Sequence, residues 1–189
     1  MQSKGQDIIV SDRQILINGC LARTRASQRK IYEIFCPPTM GLCLRYAKSW
    51  EEAEEILQDG FLQIYKHISQ FKNTGSFGGW LRKIMINTAL QRYRSRAKLV
   101  KLNELTNENS LSYSRAGAEE KMNEKELLKL IQTLPPSYKL VFNLHVFEGM
   151  KHREIAELLN VSEGTSKSNL SDARIFLRKR LAPELKLAK

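Results

Sequence analysis

The sequence predicts an all-α protein with two small helical domains joined by a flexible linker, the second being a four-helix domain with a helix-turn-helix. Strand signals are weak, because long alternations of apolar and polar residues are absent. Helix-starting patterns recur in both halves of the chain. Residues 99–118 are polar, rich in Asn and Ser and weakly periodic, which indicates a linker. A surface loop within one domain is the alternative reading of this stretch.

The first predicted domain spans residues 11–98 and begins with helices on both sides of two prolines. Ser11 and Gln14 have the spacing of a capping box, which predicts a first helix. A second helix near residues 26–35 should end at Pro37-Pro38, because proline lacks an N–H and disfavours helix before itself. A short separate helix is predicted near residues 39–47.

The longest helix of this half is predicted to begin after Ser49, which can cap it together with Glu52. Its apolar residues recur at steps of three and four and form one buried stripe: Ala53, Ile56, Leu57, Phe61, Ile64 and Ile68. Its first turns are acidic and contain no Lys or Arg: Glu51, Glu52, Glu54, Glu55 and Asp59. These acids complement the helix dipole, or they form a docking face for a basic protein partner.

A basic helix is predicted from Trp80 to about Lys98, capped by Ser76 or Thr74 after a glycine-rich loop. Residues 80–101 hold seven Lys or Arg and no Asp or Glu, a pattern typical of phosphate binding. Trp80 beside these cations could stack on unpaired bases, although a core position for it is equally consistent with the pattern. Asn87 is a candidate base reader, since its amide both donates and accepts hydrogen bonds.

The second predicted domain, residues 119–182, contains the helix-turn-helix. Asn160 suits the turn because it tolerates the left-handed conformation, Val161 is predicted to fill the angle between the helices, and Ser162 to cap the second helix. The buried residues are predicted to be Ile155, Ala156, Leu159, Leu170, Ala173 and Leu177. The outward residues, which could contact DNA, are predicted to be Thr165, Ser166, Lys167, Asn169, Arg174 and Arg178. The alternative is an ordinary helical corner with a solvated basic face.

The net charge of +11 favours a polyanionic partner, whereas a basic protein without such a partner is the plain alternative. No window approaches the apolar length of a membrane-spanning helix, so membrane insertion is not expected. No secretory signal is visible either, and we expect a cytoplasmic location. Three cysteines without a C-x-x-C pair predict reduced thiols, with redox sensing as the alternative. The scattered histidines, His67, His145 and His152, predict no metal site, and no cofactor is expected.

Two blocks of sequence together resemble the extracytoplasmic-function sigma factors, small members of the bacterial RNA polymerase sigma-70 family. The first block is residues 53–65 (AEEILQDGFLQIY) followed by residues 76–89 (SFGGWLRKIMINTA). The second is residues 134–142 (LPPSYKLVF), then 148–156 (EGMKHREIA) and 162–168 (SEGTSKS). The sequence departs from the family pattern at Gly60, where a larger residue is usual, and at Ser166, where an apolar residue is common.

The resemblance implies a role for each matching residue. Four residues fall in the segment that binds the largest subunit of core polymerase: Glu55, Gln58, Asp59 and Phe61. The residues that align with the loop and helix that read and melt the nearer, −10 promoter element are Lys72, Asn73, Thr74, Ser76, Phe77, Trp80, Arg82, Asn87, Arg92 and Arg94. The residues that align with the helix that reads the upstream, −35 element are Thr165, Ser166, Lys167, Asn169 and Arg174.

The resemblance implies a dissociable transcription initiation factor, monomeric when free and without enzymatic activity. Its implied partners are promoter DNA, the largest and second-largest subunits of core RNA polymerase, and an anti-sigma factor, which the family often has. A stand-alone helix-turn-helix regulator is the alternative, although such proteins usually dimerise through an apolar stripe that is not evident here. A nucleic-acid-processing enzyme is a second alternative, and it would need a metal or acid–base constellation.

Overall fold

The computed structural model describes residues 10–72, 75–103 and 124–187, which fold into helices and contain no strand. The chain divides into two compact units, residues 1–107 and 108–189, so the predicted all-α class with two helical bodies is confirmed. No described helix combines the length and the apolarity needed to cross a bilayer. The α-helices are α1 (Val10–Leu21), α2 (Arg25–Tyr46), α3 (Trp50–His67), α4 (Phe77–Asn103), α5 (Glu124–Gln132), α6 (Pro136–Phe142), α7 (His152–Leu159) and α8 (Glu163–Leu187).

Helix α3 is central to the first unit, since both α2 and α4 pack against it. A short 3₁₀ turn, Ile68–Gln70, continues it. The residues of its predicted apolar stripe are all buried, at 3% exposure or less: Ala53, Ile56, Leu57, Phe61, Ile64 and Ile68. They join one core with residues of α1, α2 and α4. The stripe prediction is therefore confirmed.

The predicted break at the two prolines is wrong, because α2 runs through Pro37 and Pro38 without interruption. Both prolines are exposed, and Ile31 before them and Leu42 after them are buried in the same core. This burial on both sides holds the helix together where two backbone donors are missing. The Thr39 hydroxyl donates to the carbonyl of Phe35, 2.5 Å away, which adds a hydrogen bond next to the gap.

The ends of two helices differ from prediction. Helix α1 begins at Val10, one residue before the expected cap at Ser11. Helix α4 begins at Phe77 instead of Trp80, because the Ser76 hydroxyl accepts from the backbone N–H of Gly79, 3.3 Å away. The same helix reaches Asn103, so residues 99–103 of the predicted linker are helical. Residues 104–123 lie outside the described residues.

In the second unit, α8 packs against α5, α6 and α7. Its buried residues Leu170, Ala173 and Leu177 match the prediction. Pro136 occupies the first turn of α6, where a missing N–H has no cost, and a π-helical turn, Asn143–Phe147, extends that helix. Gly149 then has a φ of 69°, which suits glycine at this helix end.

The three cysteines form no disulfide, and Cys20 and Cys43 are buried. Burial raises the pKa of Cys20 to about 11 and that of Cys43 to about 12. Both side chains are in the core of the first unit, so the thiols are protonated at neutral pH and act as small apolar groups.

Gly60 allows α3 and α4 to approach each other closely. It is buried in the middle of α3, and a β-carbon placed on it would lie 2.1 Å from the sulfur of Met85. Met85 is fully buried on α4, so its side chain cannot swing into solvent. The helix propensity that glycine costs, about 1 kcal/mol, is therefore offset by the packing of a thioether against bare backbone.

We predict opposite effects for two Gly→Ala substitutions in helices of this unit. Gly60→Ala should lower the free energy of unfolding by about 1–2 kcal/mol, because overpacking against Met85 exceeds the gain in helix propensity. Gly41→Ala, in α2, meets no atom within 4 Å and should raise it by about 0.5–1 kcal/mol. Urea titration followed by tryptophan fluorescence measures both, since Trp50 and Trp80, the two tryptophans, lie in this unit. A stabilised Gly60→Ala variant would contradict the packing argument.

Candidate nucleic-acid interface and docking face

The exposed side of α3 forms an acidic face, which we define as Glu51, Glu54, Glu55, Gln58, Asp59 and Leu62. Its N-terminal end is fixed by a cap, in which the Ser49 hydroxyl accepts from the N–H of Glu52, 3.2 Å away. The Glu52 carboxylate in turn accepts from the N–H of Lys48 at 2.8 Å. A backbone hydrogen bond and then the Ser49 hydroxyl hold the pKa of Glu51 below its ordinary value. The Glu51 carboxylate is therefore ionised at neutral pH.

Leu62 is part of the acidic face that the sequence prediction missed. Its side chain is 66% exposed, although it directly follows the buried Phe61. The steps from Glu51 to Glu55, Gln58 and Leu62 are four, three and four residues, so these side chains lie on one line of the helix. Following that helical step beyond Gln58 would have found it. An exposed leucine in a polar and acidic surround suits a protein contact.

The prediction that Phe61 contacts the polymerase is wrong for this structure. Phe61 is 3% exposed and packs in the core of the first unit. Its ring centroid lies 4.7 Å from that of Tyr32 and 6.0 Å from that of Tyr65. Gln58, Glu55 and Asp59 are exposed, as a docking role requires.

Arg92 joins the acidic face to α4. One guanidinium nitrogen donates to Asp59, 2.9 Å away, and the other donates to Glu55. This contact brings together residues that were predicted to bind two different partners. Arg92 follows Thr88 by four residues and Met85 by seven, and both of these are buried, so Arg92 continues the line of α4 that faces α3.

A second line of α4 faces solvent and forms the basic face, which we define as Lys83, Asn87, Gln91 and Arg94. Its members are exposed and are separated by four, four and three residues. Arg82 is exposed beside this line. Asn87 thus lies between cations on an open helix surface, as base reading requires. Lys83 and Gln91 belong to this face but not to the predicted set.

Trp80 and Phe77 belong to an aromatic cluster at the start of α4. The Phe77 ring stacks on Trp80 at 5.7 Å with an interplanar angle of 23°, and Phe71 lies 5.1 Å from Phe77 and 5.6 Å from Trp80. Phe77 is 3% exposed, which makes its predicted DNA contact wrong for this structure. Trp80 is partly buried against the core, so only part of its ring is open to a base.

The predicted base-capturing loop precedes this cluster. Lys72 and Ser76 are exposed on its two sides, and Gly75 has a φ of 86°, which favours glycine. The Ser76 hydroxyl is the cap of α4 and accepts from Gly79. Asn73 and Thr74 were also predicted to bind DNA, and both lie outside the described residues.

The turn of the helix-turn-helix forms as predicted, with one exception. Asn160 is left-handed at φ 56° and ψ 51°, and the Ser162 hydroxyl accepts from the N–H of Thr165 at 2.9 Å. Ile155 and Ala156 are buried. Val161 was expected to fill the angle between the helices, but it is 39% exposed.

Ser166 was predicted to face DNA, and this prediction is wrong for this structure. Ser166 is fully buried, and its hydroxyl lies 3.0 Å from Nδ1 of His152. It follows Ser162 by four residues and precedes Leu170 and Ala173, so it continues the inner line of α8. A buried position also explains why the family commonly has an apolar residue here.

The remaining predicted residues of α8 are accessible. Thr165, Lys167 and Arg174 are exposed, and Asn169 is partly buried. Lys167 pairs with Glu163 at 2.7 Å, and its side chain keeps 60% exposure. A groove of about 290 Å³ runs along this helix, lined by His152, Lys167, Leu170, Ser171, Arg174, Ile175 and Arg178. Three cations around one groove suit a phosphate backbone.

His145 and His152 stack with ring centroids 4.6 Å apart and an interplanar angle of 12°. Nδ1 of His145 lies 3.0 Å from the carbonyl oxygen of Met150. Desolvation, then His145 and Lys167, lower the pKa of His152 below its ordinary value of 6.5. A neutral His152 is therefore favoured beside the cationic groove. Among the described residues, no group of three His, Cys, Asp or Glu side chains is arranged to hold a metal ion.

Comparison with known proteins agrees with these two helical bodies. The model of Sigma-70 region 2 matches residues 31–99, and that of Sigma-70, region 4 matches residues 124–177. The ECF RNA polymerase sigma factor SigW of Bacillus subtilis is 30% identical over 162 residues, which cover 80% of this chain and 87% of SigW. The chain belongs to the ECF RNA polymerase sigma factors.

A further relative matches this sigma factor in sequence, and a solved structure matches it in fold. The RNA polymerase sigma-H factor of Pseudomonas aeruginosa is 27% identical over 160 residues, covering 79% of this chain and 83% of that protein. The solved sigma factor RpoE of Bartonella quintana, in complex with the anti-sigma factor NepR, superposes with a TM-score of 0.54 at 19% identity. That alignment covers 82% of this chain and 96% of RpoE, and it shows a shared fold.

We predict that Ser166 of this sigma factor stabilises the second unit. Ser166→Ala removes the partner of His152 and should cost about 1 kcal/mol, the usual net value of a hydrogen bond. Asn169→Ala, three residues along the same helix, should change the stability by less than about 0.5 kcal/mol. Hydrogen exchange of α7 and α8, followed by mass spectrometry on the full chain, resolves this unit. Equal exchange in the two variants would refute the structural role.

We predict that stability of the second unit declines at acidic pH because of His152. The pKa of His152 is lowered in the folded state, so the unfolded chain binds a proton more readily than the folded chain does. The contribution of the neutral His152 to the free energy of unfolding is therefore complete above about pH 6.5, and it is lost as the pH falls through the folded pKa. NMR titration of the imidazole protons measures the pKa, and the His152→Gln variant identifies the resonance by its loss. A His152 midpoint at or above 6.5 would contradict the prediction.

Proposed function

We propose that this sigma factor is a dissociable initiation factor that binds core RNA polymerase, directs it to specific promoters and helps to melt the −10 element. The observation that supports this function is that acidic and basic surfaces lie on different helices of one chain. The acidic face lies on α3, whereas the basic face of α4 and the cationic groove of α8 lie on other helices. A protein that links DNA to a second protein needs both kinds of surface.

The acidic face is the proposed polymerase-docking site. Glu55, Gln58 and Asp59 supply polar contacts to a basic patch on the largest subunit, and Leu62 supplies the apolar centre. Interfaces commonly place a few apolar anchors inside a polar rim. The buried Phe61 supports this face from below by packing against Tyr32 and Tyr65.

The basic face is the proposed site for the −10 element. Lys83 and Arg94 bind phosphates, and Asn87 and Trp80 contact bases. Lys72 and Ser76, with Asn73 and Thr74 between them, are proposed to hold an unpaired base. Unstacking a base costs a few kcal/mol, which contacts to the captured base offset.

The second unit is the proposed site for the −35 element. The exposed Thr165 and the partly buried Asn169 read base edges in the major groove, and Lys167, Arg174 and Arg178 bind phosphates along α8. The domain limits that we propose for these roles are residues 11–98 for region 2 and 119–182 for region 4. The segment between them, whose first residues, 99–103, continue α4, is proposed to act as a linker.

The partners and location follow from this function. We propose that the free chain is a monomer, that it acts in the cytoplasm with the polymerase, and that it consumes no substrate. RpoE of Bartonella quintana binds the anti-sigma factor NepR, and an anti-sigma factor is proposed as a further partner of this chain. A stand-alone helix-turn-helix regulator is not favoured, because Sigma-70 region 2 and region 4 both match in order.

Reconstitution with bacterial core polymerase tests the function. We predict that the purified chain supports run-off transcription from a subset of genomic fragments, and that core polymerase alone does not. Failure with core polymerase from the source of the gene, together with a stable homodimer on a sizing column, would favour the stand-alone regulator.

The docking face has its own prediction. Leu62→Ser should weaken core polymerase binding by about tenfold or more, as loss of an apolar anchor commonly does. Ile15→Ser is the matched control, because Ile15 on α1 is also 66% exposed but lies outside the acidic face. Fluorescence titration with core polymerase measures both affinities. Equal weakening by the two substitutions would show that general surface polarity, not this site, is responsible.

A further inference from the structure

One arginine of α4 is bonded to the acidic face and not directed to solvent with the basic face. The Arg92 guanidinium donates through Nη1 to Oδ2 of Asp59, 2.9 Å away, and through Nη2 to Oε2 of Glu55. The Arg92 side chain is 33% exposed, whereas those of Glu55 and Asp59 are 57% and 53% exposed. The carboxylates are therefore held from one side and remain open on the other.

The backbone geometry explains why a single arginine reaches both acids. Glu55 and Asp59 are four residues apart and lie on successive turns of α3, where two like charges repel each other. The planar guanidinium presents parallel N–H groups and can bridge two carboxylates, which the point charge of a lysine cannot do equally well. Gly60, which follows Asp59, lets α4 approach α3 closely near this contact, because the Met85 side chain packs against its bare backbone.

We propose that Arg92 is a positioning residue of the polymerase-docking site, in place of the promoter contact predicted from the sequence. It fixes the Glu55 and Asp59 carboxylates on the acidic face so that their free oxygens meet the basic surface of the polymerase. This inference rests on the proposed docking function. It assigns Arg92 to the protein interface and leaves the nearer promoter element to the basic face.

Charge and geometry make opposite predictions for the loss of Arg92. Its removal makes the acidic face more negative by one unit, and long-range attraction to a basic partner would then become stronger. Its removal also frees the two carboxylates to rotate, and they must then be ordered when the complex forms. If positioning dominates, the affinity falls although the electrostatic attraction has grown.

The experiment compares three variants of the full chain in equilibrium binding to core polymerase at physiological salt. We expect Arg92→Ala to weaken binding about tenfold, as truncation of an interface ion-pair member commonly does. Arg92→Lys keeps the charge but loses the two-carboxylate fork, and should weaken binding about threefold. Arg29→Ala is the matched control, because it breaks the exposed Arg29–Glu33 pair of α2, 2.8 Å long, away from the acidic face.

Unchanged or tighter binding by Arg92→Ala would overturn the proposal. That result is expected only if Arg92 does not affect docking, or if it competes with the polymerase for the two carboxylates. Thermal unfolding is measured in parallel, to show that Arg92→Ala and Arg29→Ala are both folded at the temperature of the binding experiment. A holoenzyme formed from Arg92→Ala at saturating core polymerase should transcribe at the wild-type rate. A loss of transcription that persists at saturating core polymerase would contradict the proposal and indicate that Arg92 contacts the promoter.

A double-mutant cycle separates this inference from the docking function itself. Glu55→Gln with Asp59→Asn should weaken binding to core polymerase, and Arg92→Ala should then have no further effect. If the double acid variant binds as tightly as the wild type, the proposed docking site is wrong. If it weakens binding but Arg92→Ala in the native background does not, only the positioning role is wrong.

Discussion

The first unit depends on the burial of one apolar stripe of α3 between α2 and α4. Each large aliphatic or aromatic side chain in that stripe contributes about 1.5–3 kcal/mol when it leaves water. This burial keeps α2 continuous through Pro37 and Pro38, against the local preference of two prolines to end a helix. It also requires Gly60, because Met85 occupies the place that a β-carbon would need. Local propensity therefore yields to the core at each of these positions.

The same stripe determines which side of α3 is exposed. Because Phe61 and Ile64 face inward, Glu55, Gln58 and Leu62 must face outward. The same holds for α4, since the buried Met85 packs against Gly60 of α3 and the line through Lys83, Asn87 and Arg94 is exposed. Arg92 lies on the inner line beyond the end of the core, which explains how a basic residue comes to serve an acidic surface.

In the helix-turn-helix, too, the position of a residue along the helix decides whether its side chain is buried or exposed. Asn160 and Ser162 shape the turn, and α8 then presents alternate lines to the core and to solvent. Ser166 is on the inner line and bonds to His152, so one polar residue of α8 joins the two helices instead of reading a base. A buried hydroxyl needs such a partner, since an unpaired polar group costs stability. The neighbouring Thr165, Lys167 and Arg174 remain exposed.

The sequence alone determined the helical class, the two bodies, the apolar stripe of α3 and the turn at Asn160, because periodicity and capping are local properties. It also placed the acidic and basic helices, since charge runs are visible without coordinates. Only the tertiary structure decided that α2 continues through its two prolines, that Phe77 and Ser166 are buried, and that Arg92 bonds to Glu55 and Asp59. These outcomes depend on residues distant along the chain, and a helical wheel gives the side of a helix but not the neighbour that it meets.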